Sequence, residues 1–195
     1  MSSPVLSVPR SASTAWWGML LLVATEAALF AVLIASYFYL RFHADGGWPP
    51  EGIGDPKLVR ASLMTSVLLA SSVPMALAEA GIARGDRRRL RAGLAASFGL
   101  GALFLGLQAL EYREQLRELR PQTDAYGSLV YTITGAHAAH VALGLALLAW
   151  LQLRAWLGAY GPRRHVAVQV IALYWHFVTL ASTVVFATVY LSPRV

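Results

Sequence analysis

Cysteine is absent from the 195 residues, and charge is scarce: 13% of positions are Asp, Glu, Lys or Arg, about half of the roughly 25% usual in soluble domains. The first absence excludes structural disulfides, thiolate catalysis and Cys-ligated metal or iron–sulfur sites, and leaves the redox compartment unmarked. The second, with a mean hydropathy of +0.55, excludes a disordered chain, a disulfide-stapled secreted module and most soluble enzymes. Walker motifs, nucleophile elbows and paired catalytic carboxylates are missing too, as are the alternating ten-residue segments of a membrane β-barrel. What is present is apolar, with 57% of residues in the hydrophobic set. A net charge of +6 would suggest nucleic acid in a soluble protein. In a chain this apolar, membrane topology accounts for it, and no nucleic-acid partner is expected.

A bilayer core of about 30 Å needs roughly 20 apolar residues at 1.5 Å rise each. Five windows qualify, at about 16–40, 60–83, 90–111, 126–154 and 168–191. Backbone left unpaired in lipid is too costly for anything except a helix or a closed barrel. The expected fold is therefore an all-α integral membrane protein, a five-helix transmembrane bundle forming one domain over residues 15–195. Residues 1–14 are Ser/Pro-rich and read as a disordered cytoplasmic tail. The first apolar run is longer than a signal-peptide core, and Ala44-Asp45-Gly46-Gly47 reads as a loop rather than a cleavage site, so the run is expected to be retained.

Orientation follows from the basic residues. With a cytoplasmic N-terminus, the inside holds Arg10, Arg84, Arg87, Arg88, Arg89, Arg91, Arg154, Arg163 and Arg164, which is nine of the sixteen. The five-Arg cluster falls in the shortest loop, where the positive-inside rule counts most. The expected topology is N-terminus cytoplasmic and C-terminus periplasmic. Loop 41–59, containing Trp48-Pro49-Pro50-Glu51-Gly52-Ile53, reads as a structured outer loop. Glu111 to Arg120, with Glu114 and Glu118 among Arg113, Arg117 and Arg120, reads as a helix leaving the membrane with i,i+4 pairs.

Polar groups at membrane depth each need a reason. Glu26 lies ten residues into the first span with no basic residue near it in sequence. At that depth the neutral, hydrogen-bond-donating carboxyl is the cheaper form. It is either a proton-active or ligand-binding group, or a packing carboxyl bonded to a neighbouring helix. His137 and His140 share a face of the fourth span. His176 lies in the fifth, with Thr179 and Thr183 at i+3 and i+7. One carboxylate and three histidines could ligate zinc or non-haem iron, but di-iron bundles use several carboxylates with Glu-x-x-His pairs. An i,i+3 histidine pair also cannot clamp both sides of one haem. No metal site is therefore expected, and Glu26 bonded to a fourth-span histidine is the leading pair. Glu79 and Glu111 fall near span ends, where a solvated or interfacial position is the default, and Gln108 is open to a lipid or partner. Two small-residue stripes (Gly135, Ala139, Ala142, Ala146, Ala149, and Ala92, Ala96, Gly99, Gly106) predict close backbone packing. Trp16, Trp17, Trp48, Tyr126, Trp156 and Tyr190 at span ends fit an aromatic belt. With no complete active site, an accessory subunit is favoured over a freestanding enzyme.

Seven motifs in order carry a family resemblance: Trp17-Gly18-Met19 through Thr25-Glu26, Pro49-Pro50-Glu51-Gly52-Ile53, Thr65-Ser66-Val67-Leu68-Leu69-Ala70-Ser71, Gln108-Ala109-Leu110-Glu111-Tyr112, Tyr126-Gly127-Ser128, Thr134-Gly135-Ala136-His137-Ala138-Ala139-His140-Val141, and Tyr174-Trp175-His176-Phe177-Val178. From about residue 16 onward the chain resembles subunit III of haem–copper terminal oxidases of the cytochrome c oxidase type, in the five-helix form lacking the first two helices of longer members. The resemblance implies a subunit of the bacterial cytoplasmic (inner) membrane with no redox centre of its own. It implies contact mainly with subunit I and also with subunit II, where haem and copper reside, a bound phospholipid, and support of sustained proton uptake. It implies that Glu26 is the family's intramembrane carboxyl, His140 its hydrogen-bond partner, and Arg154 a contact to lipid phosphate, a role that suits a guanidinium at headgroup depth. Thr179 stands where the family usually has Asp, which leaves any partner contact of that carboxylate open. Related readings are subunit III of a quinol oxidase or the corresponding subunit of a nitric oxide reductase. From other classes come a stand-alone transporter or proton channel using Glu26 and the histidines as a relay, and a membrane metalloenzyme. Neither inverted repeats nor extra mid-membrane carboxylates favour these.

Overall fold

The computed structural model describes residues 14–44, 47–50, 58–118 and 125–194, with the backbone alone for 115–118. Residues 1–13 of the N-terminal tail, the Glu51-Gly52-Ile53 part of the outer loop, and the ion pairs expected of Arg117, Glu118 and Arg120 fall outside the described groups, while Thr14 already belongs to the first helix. Among the described residues the elements are α1 (Thr14–Phe42), α2 (Leu58–Ala70), α3 (Ser72–Ala83), α4 (Arg87–Glu118), α5 (Ala125–Trp156) and α6 (Val166–Phe186). A π-helical turn, Ala187–Leu191, and a 3-10 turn, Ser192–Arg194, continue α6. Five stretches of the described residues are long and apolar enough to cross a membrane: Thr14–Phe42, Leu58–Ala83, Arg87–Glu114, Ala125–Trp156 and Val166–Arg194. Each corresponds to one expected span. Helix α4 runs furthest past its apolar window because charged turns at its ends, such as Arg87-Arg88-Arg89, end a hydropathy window without ending the backbone hydrogen bonding.

The second span is two helices rather than one. Pro74 has no N–H to offer the carbonyl of Ala70 and its ring crowds that position, and the helix is interrupted at Ser71. The break is held by polar contacts from two other helices. Ser97 of α4 donates to the Ser71 carbonyl at 3.0 Å, and the Trp175 indole N–H of α6 donates to Ser71 Oγ at 3.0 Å.

In the centre stands α6: over the most apolar stretch of each span, 56% of its positions are buried against 6% for α1. Trp175 is wholly buried at the middle of the core. It fits because two facing positions have no side chain. A Cβ on Gly101 would lie 2.6 Å from Trp175 Cη2, and one on Gly144 would lie 2.8 Å from Cε3. Gly93 does the same between α3 and α4, where a Cβ would meet Ala78 Cβ at 2.8 Å. Lipid chains are as apolar as leucine, so such close packing, rather than removal of apolar surface from water, holds membrane helices together.

These glycines are not the stripes expected from sequence. Ala139, Ala142, Ala146 and Ala149 are exposed on the outside of α5, and Ala92, Ala96, Gly99 and Gly106 are exposed on α4. A Cβ on Gly99 or Gly106 would meet nothing within 4 Å. Regular spacing fixes that such residues share a face, but not whether the face turns inward.

At one end of the bundle the short α3–α4 turn runs through Gly85 at φ +84°, where an L side chain would be strained. Asp86 Oδ1 then accepts from the Arg88 and Arg89 backbone N–H groups, each at 3.0 Å, and caps α4. Arg91 donates to the Ala155 carbonyl near the C-terminus of α5, and its guanidinium lies 4.6 Å from the Trp156 ring centre. The Arg84–Arg91 cluster and the Arg154–Arg164 segment therefore share one end.

Candidate functional site

On α1 the inward face is read from its two buried residues, Phe30 and Tyr37, seven apart. Glu26, one turn before Phe30, continues that stripe toward α5. Its Oε2 lies 2.8 Å from His140 Nε2, so the carboxyl and the fourth-span histidine proposed for it are brought together. The other ring nitrogen, His140 Nδ1, lies 2.6 Å from the Ala136 carbonyl one turn earlier. A carbonyl only accepts, so Nδ1 carries hydrogen. Nε2 and Glu26 Oε2 then share a single proton, as carboxyl and neutral imidazole or as carboxylate and imidazolium. The Tyr174 hydroxyl of α6 donates to the His140 carbonyl at 3.2 Å, which ties a third helix to the pair. Side-chain exposures of 25% for Glu26 and 15% for His140 place the pair at the bundle's edge rather than in its centre.

His137 lies deeper. It is 3% exposed and packs edge-on against Phe104 of α4, with ring centres 5.7 Å apart, and against Phe30 at 6.3 Å. Phe30 also meets the His140 ring at 5.2 Å, so one phenyl of α1 touches both imidazoles. His176 is half-buried on α6, Thr179 is buried, and Thr183 is exposed. The hydroxyl of Thr179 donates to the His176 carbonyl at 2.9 Å and receives a hydrogen bond from Ser72 Oγ at 2.7 Å. Thr179 is thus used inside the chain, joining α3 to α6. Arg154 is exposed in the last turn of α5, with its guanidinium 5.7 Å from the Trp150 ring centre. Among the described residues no three of His, Asp and Glu converge as metal ligands.

One site departs from the sequence reading. Glu111 is not at a wet helix end; it is 3% exposed, within α4. Arg60 of α2 donates to Glu111 Oε2 at 2.9 Å and to Glu114 Oε2 at 2.6 Å. A carboxylate can be buried there because a guanidinium from the neighbouring helix reaches it. The visible signal was Glu111 and Glu114 at i,i+3, which share a helix face; the partner, 51 positions earlier, carries no local signature. Nearby, the Tyr112 hydroxyl donates to Thr134 Oγ1 at 2.8 Å, which in turn donates to the Val130 carbonyl at 2.6 Å.

Comparison with known proteins places this arrangement. The family model described as cytochrome c oxidase subunit III matches residues 10–193. A protein of Nocardia farcinica named probable cytochrome c oxidase subunit 3 is 34% identical over 174 residues, covering 89% of this chain and 85% of that protein. The cytochrome c oxidase subunit 3 of Thermostichus vulcanus is 32% identical over 181 residues, covering 91% and 87%. That of Gallus gallus is 31% identical over 183 residues, covering 89% and 68%. With nearly the whole chain inside the match, the chain belongs to the cytochrome c oxidase subunit III family.

Proposed function

We propose that this accessory oxidase subunit works in a bacterial cytoplasmic membrane, docked mainly on subunit I and also on subunit II of a proton-pumping terminal oxidase. Haem and copper reside in those partners and supply the electron transfer and oxygen chemistry; this chain contributes no active site of its own. Its N-terminus faces the cytoplasm, which puts the shared end bearing Arg84, Arg87, Arg88, Arg89, Arg91, Arg154, Arg163 and Arg164 on the positive-inside face. The carrying observation is the family match along residues 10–193. It favours the subunit over a stand-alone transporter or channel.

Within that role, Glu26–His140 braces α1 against α5 near bound phospholipid. Supporting this, α1 is the most exposed helix of the bundle, and the pair lies at its lipid-accessible edge. Arg154, exposed beside Trp150 at the basic end, has the charge and depth to hold a lipid phosphate. By bracing this edge and retaining lipid, the chain supports stability and sustained proton uptake by the catalytic subunit. The small-residue faces of α4 and α5 offer the close approach that docking on another helical subunit requires.

Mild-detergent purification of a tagged chain tests the assignment. The expected result is a coloured preparation with a haem absorption spectrum and co-purifying catalytic subunits. A colourless chain recovered alone and active in ion flux would overturn it.

A further inference from the structure

Whereas His140 has two hydrogen-bond partners, the deeper histidine has none: both His137 ring nitrogens are buried and unpartnered. On α4, Gln108 is 7% exposed, and its amide nitrogen is also unpartnered. An unmet donor or acceptor is costly in a protein interior and costlier in lipid, where no solvent can reach it. Both side chains line one small cavity among α2, α4, α5 and α6, together with the hydroxyl-bearing Thr65, Thr134 and Ser182.

The space open to the centre of a water molecule is about 20 Å³. One water needs at least roughly 10–15 Å³ by the same measure, with two to four polar partners, whereas cavities that stay dry are apolar. Six of the lining residues carry a polar side-chain group, the Tyr190 hydroxyl among them, and none is Lys, Arg, Asp or Glu. No opposite charge is therefore present to hold an anion or a cation. Neutral imidazole has one donor and one acceptor nitrogen, and the Gln108 amide nitrogen only donates. Water supplies two donors and two acceptors, so one molecule can meet one His137 ring nitrogen and the Gln108 amide at once. Thr134 has spent its hydrogen on the Val130 carbonyl and already accepts from Tyr112, so it still offers the water an acceptor lone pair.

We propose that this cavity is a structural water site in which one water molecule bridges His137 and Gln108. The water ties α5 to α4 as His140–Glu26 ties α5 to α1, and the Phe30 ring lies against both imidazoles. The site does not depend on which catalytic subunit the chain serves.

The test is an electron-microscopy map of the purified complex at a resolution that shows ordered water. The expected map has one density about 2.7–3.2 Å from a His137 ring nitrogen and from the Gln108 amide. In maps of His137→Phe and Gln108→Met complexes that density is lost. An empty cavity in the parent protein would overturn the proposal, as would His137 and Gln108 bonded directly to each other. Density retained at full strength in either variant would overturn the bridge. Where a variant fails to accumulate, the parent map decides alone. The density is read in this chain whichever subunits co-purify, so failure here is distinct from failure of the oxidase assignment.

Discussion

At His140 the Nδ1 hydrogen is committed to the Ala136 carbonyl, which leaves Nε2 to meet Glu26. A side-chain amide at position 26 can donate to that Nε2 as a neutral carboxyl does. Glu26→Gln is therefore expected to change stability by no more than about 1 kcal/mol, since interhelical hydrogen bonds in membranes average roughly 0.6 kcal/mol. Assembly and initial oxidase turnover should stay close to the parent. His140→Leu instead leaves a carboxyl facing hydrocarbon, at a cost of about 1–3 kcal/mol. Heat-induced loss of the assembled chain from detergent-solubilised membranes, run for both variants, separates the two. Equal losses, or abolished activity from the first turnovers of Glu26→Gln, would show that the proton itself is required. Glu26 stood out in the sequence because a lone carboxyl in a run such as Leu20-Leu21-Leu22-Val23-Ala24-Thr25 is costly at membrane depth. The burial of Glu111 did not stand out, since its place near a span end suggests a solvated carboxyl and no local signature marks Arg60 as its partner.

Helices differ in how much of their geometry their own residues announce. Existence and approximate extent of all five spans follow from apolar length, which is a property of each segment alone. The break at Ser71 follows from Pro74, yet its stability depends on Ser97 and Trp175, contributed by α4 and α6. Direction is the least local property. The alanines of α5 repeat regularly and turn outward, while the positions that admit Trp175 are the less conspicuous Gly101 and Gly144. This gives a paired prediction. In Gly144→Ala a new Cβ would meet the Trp175 ring at 2.8 Å, and both flanking helices are fixed by other contacts. The expected destabilisation is about 1–3 kcal/mol, the usual cost of overpacking a core. Gly18→Ala, on α1, meets nothing within 4 Å and gains helix propensity, so it should be neutral or slightly stabilising. The same thermal assay reads both variants. A neutral Gly144→Ala would mean that Trp175 is less tightly enclosed than its complete burial indicates.

For the molecule as a whole, the question is which outward faces meet lipid and which meet protein. Leucine, valine and aromatic side chains suit lipid, and α1 presents Leu21, Leu29, Val32 and Tyr39 that way. Lipid places no premium on small residues, whereas a docked helix gains van der Waals contact when backbones approach closely. Ala139, Ala142, Ala146 and Ala149 on α5, with Gly99 and Gly106 on α4, are therefore the faces expected to dock on the catalytic subunit. A bulky residue there should leave this chain's own packing intact, since the substituted positions point away from its core, yet obstruct the partner. Ala142→Trp and Gly106→Leu are each expected to weaken association by about 1–3 kcal/mol, enough to lower the haem recovered per tagged chain several-fold. Val32→Trp, on the large-residue face of α1, serves as the control and should retain parental haem. The readout is haem absorbance normalised to chain after mild-detergent purification, with the amount of chain in the membrane measured in parallel. Unchanged haem in both small-face variants would mean that these faces meet lipid and that docking uses another surface. Loss in Val32→Trp alone would move the interface to α1.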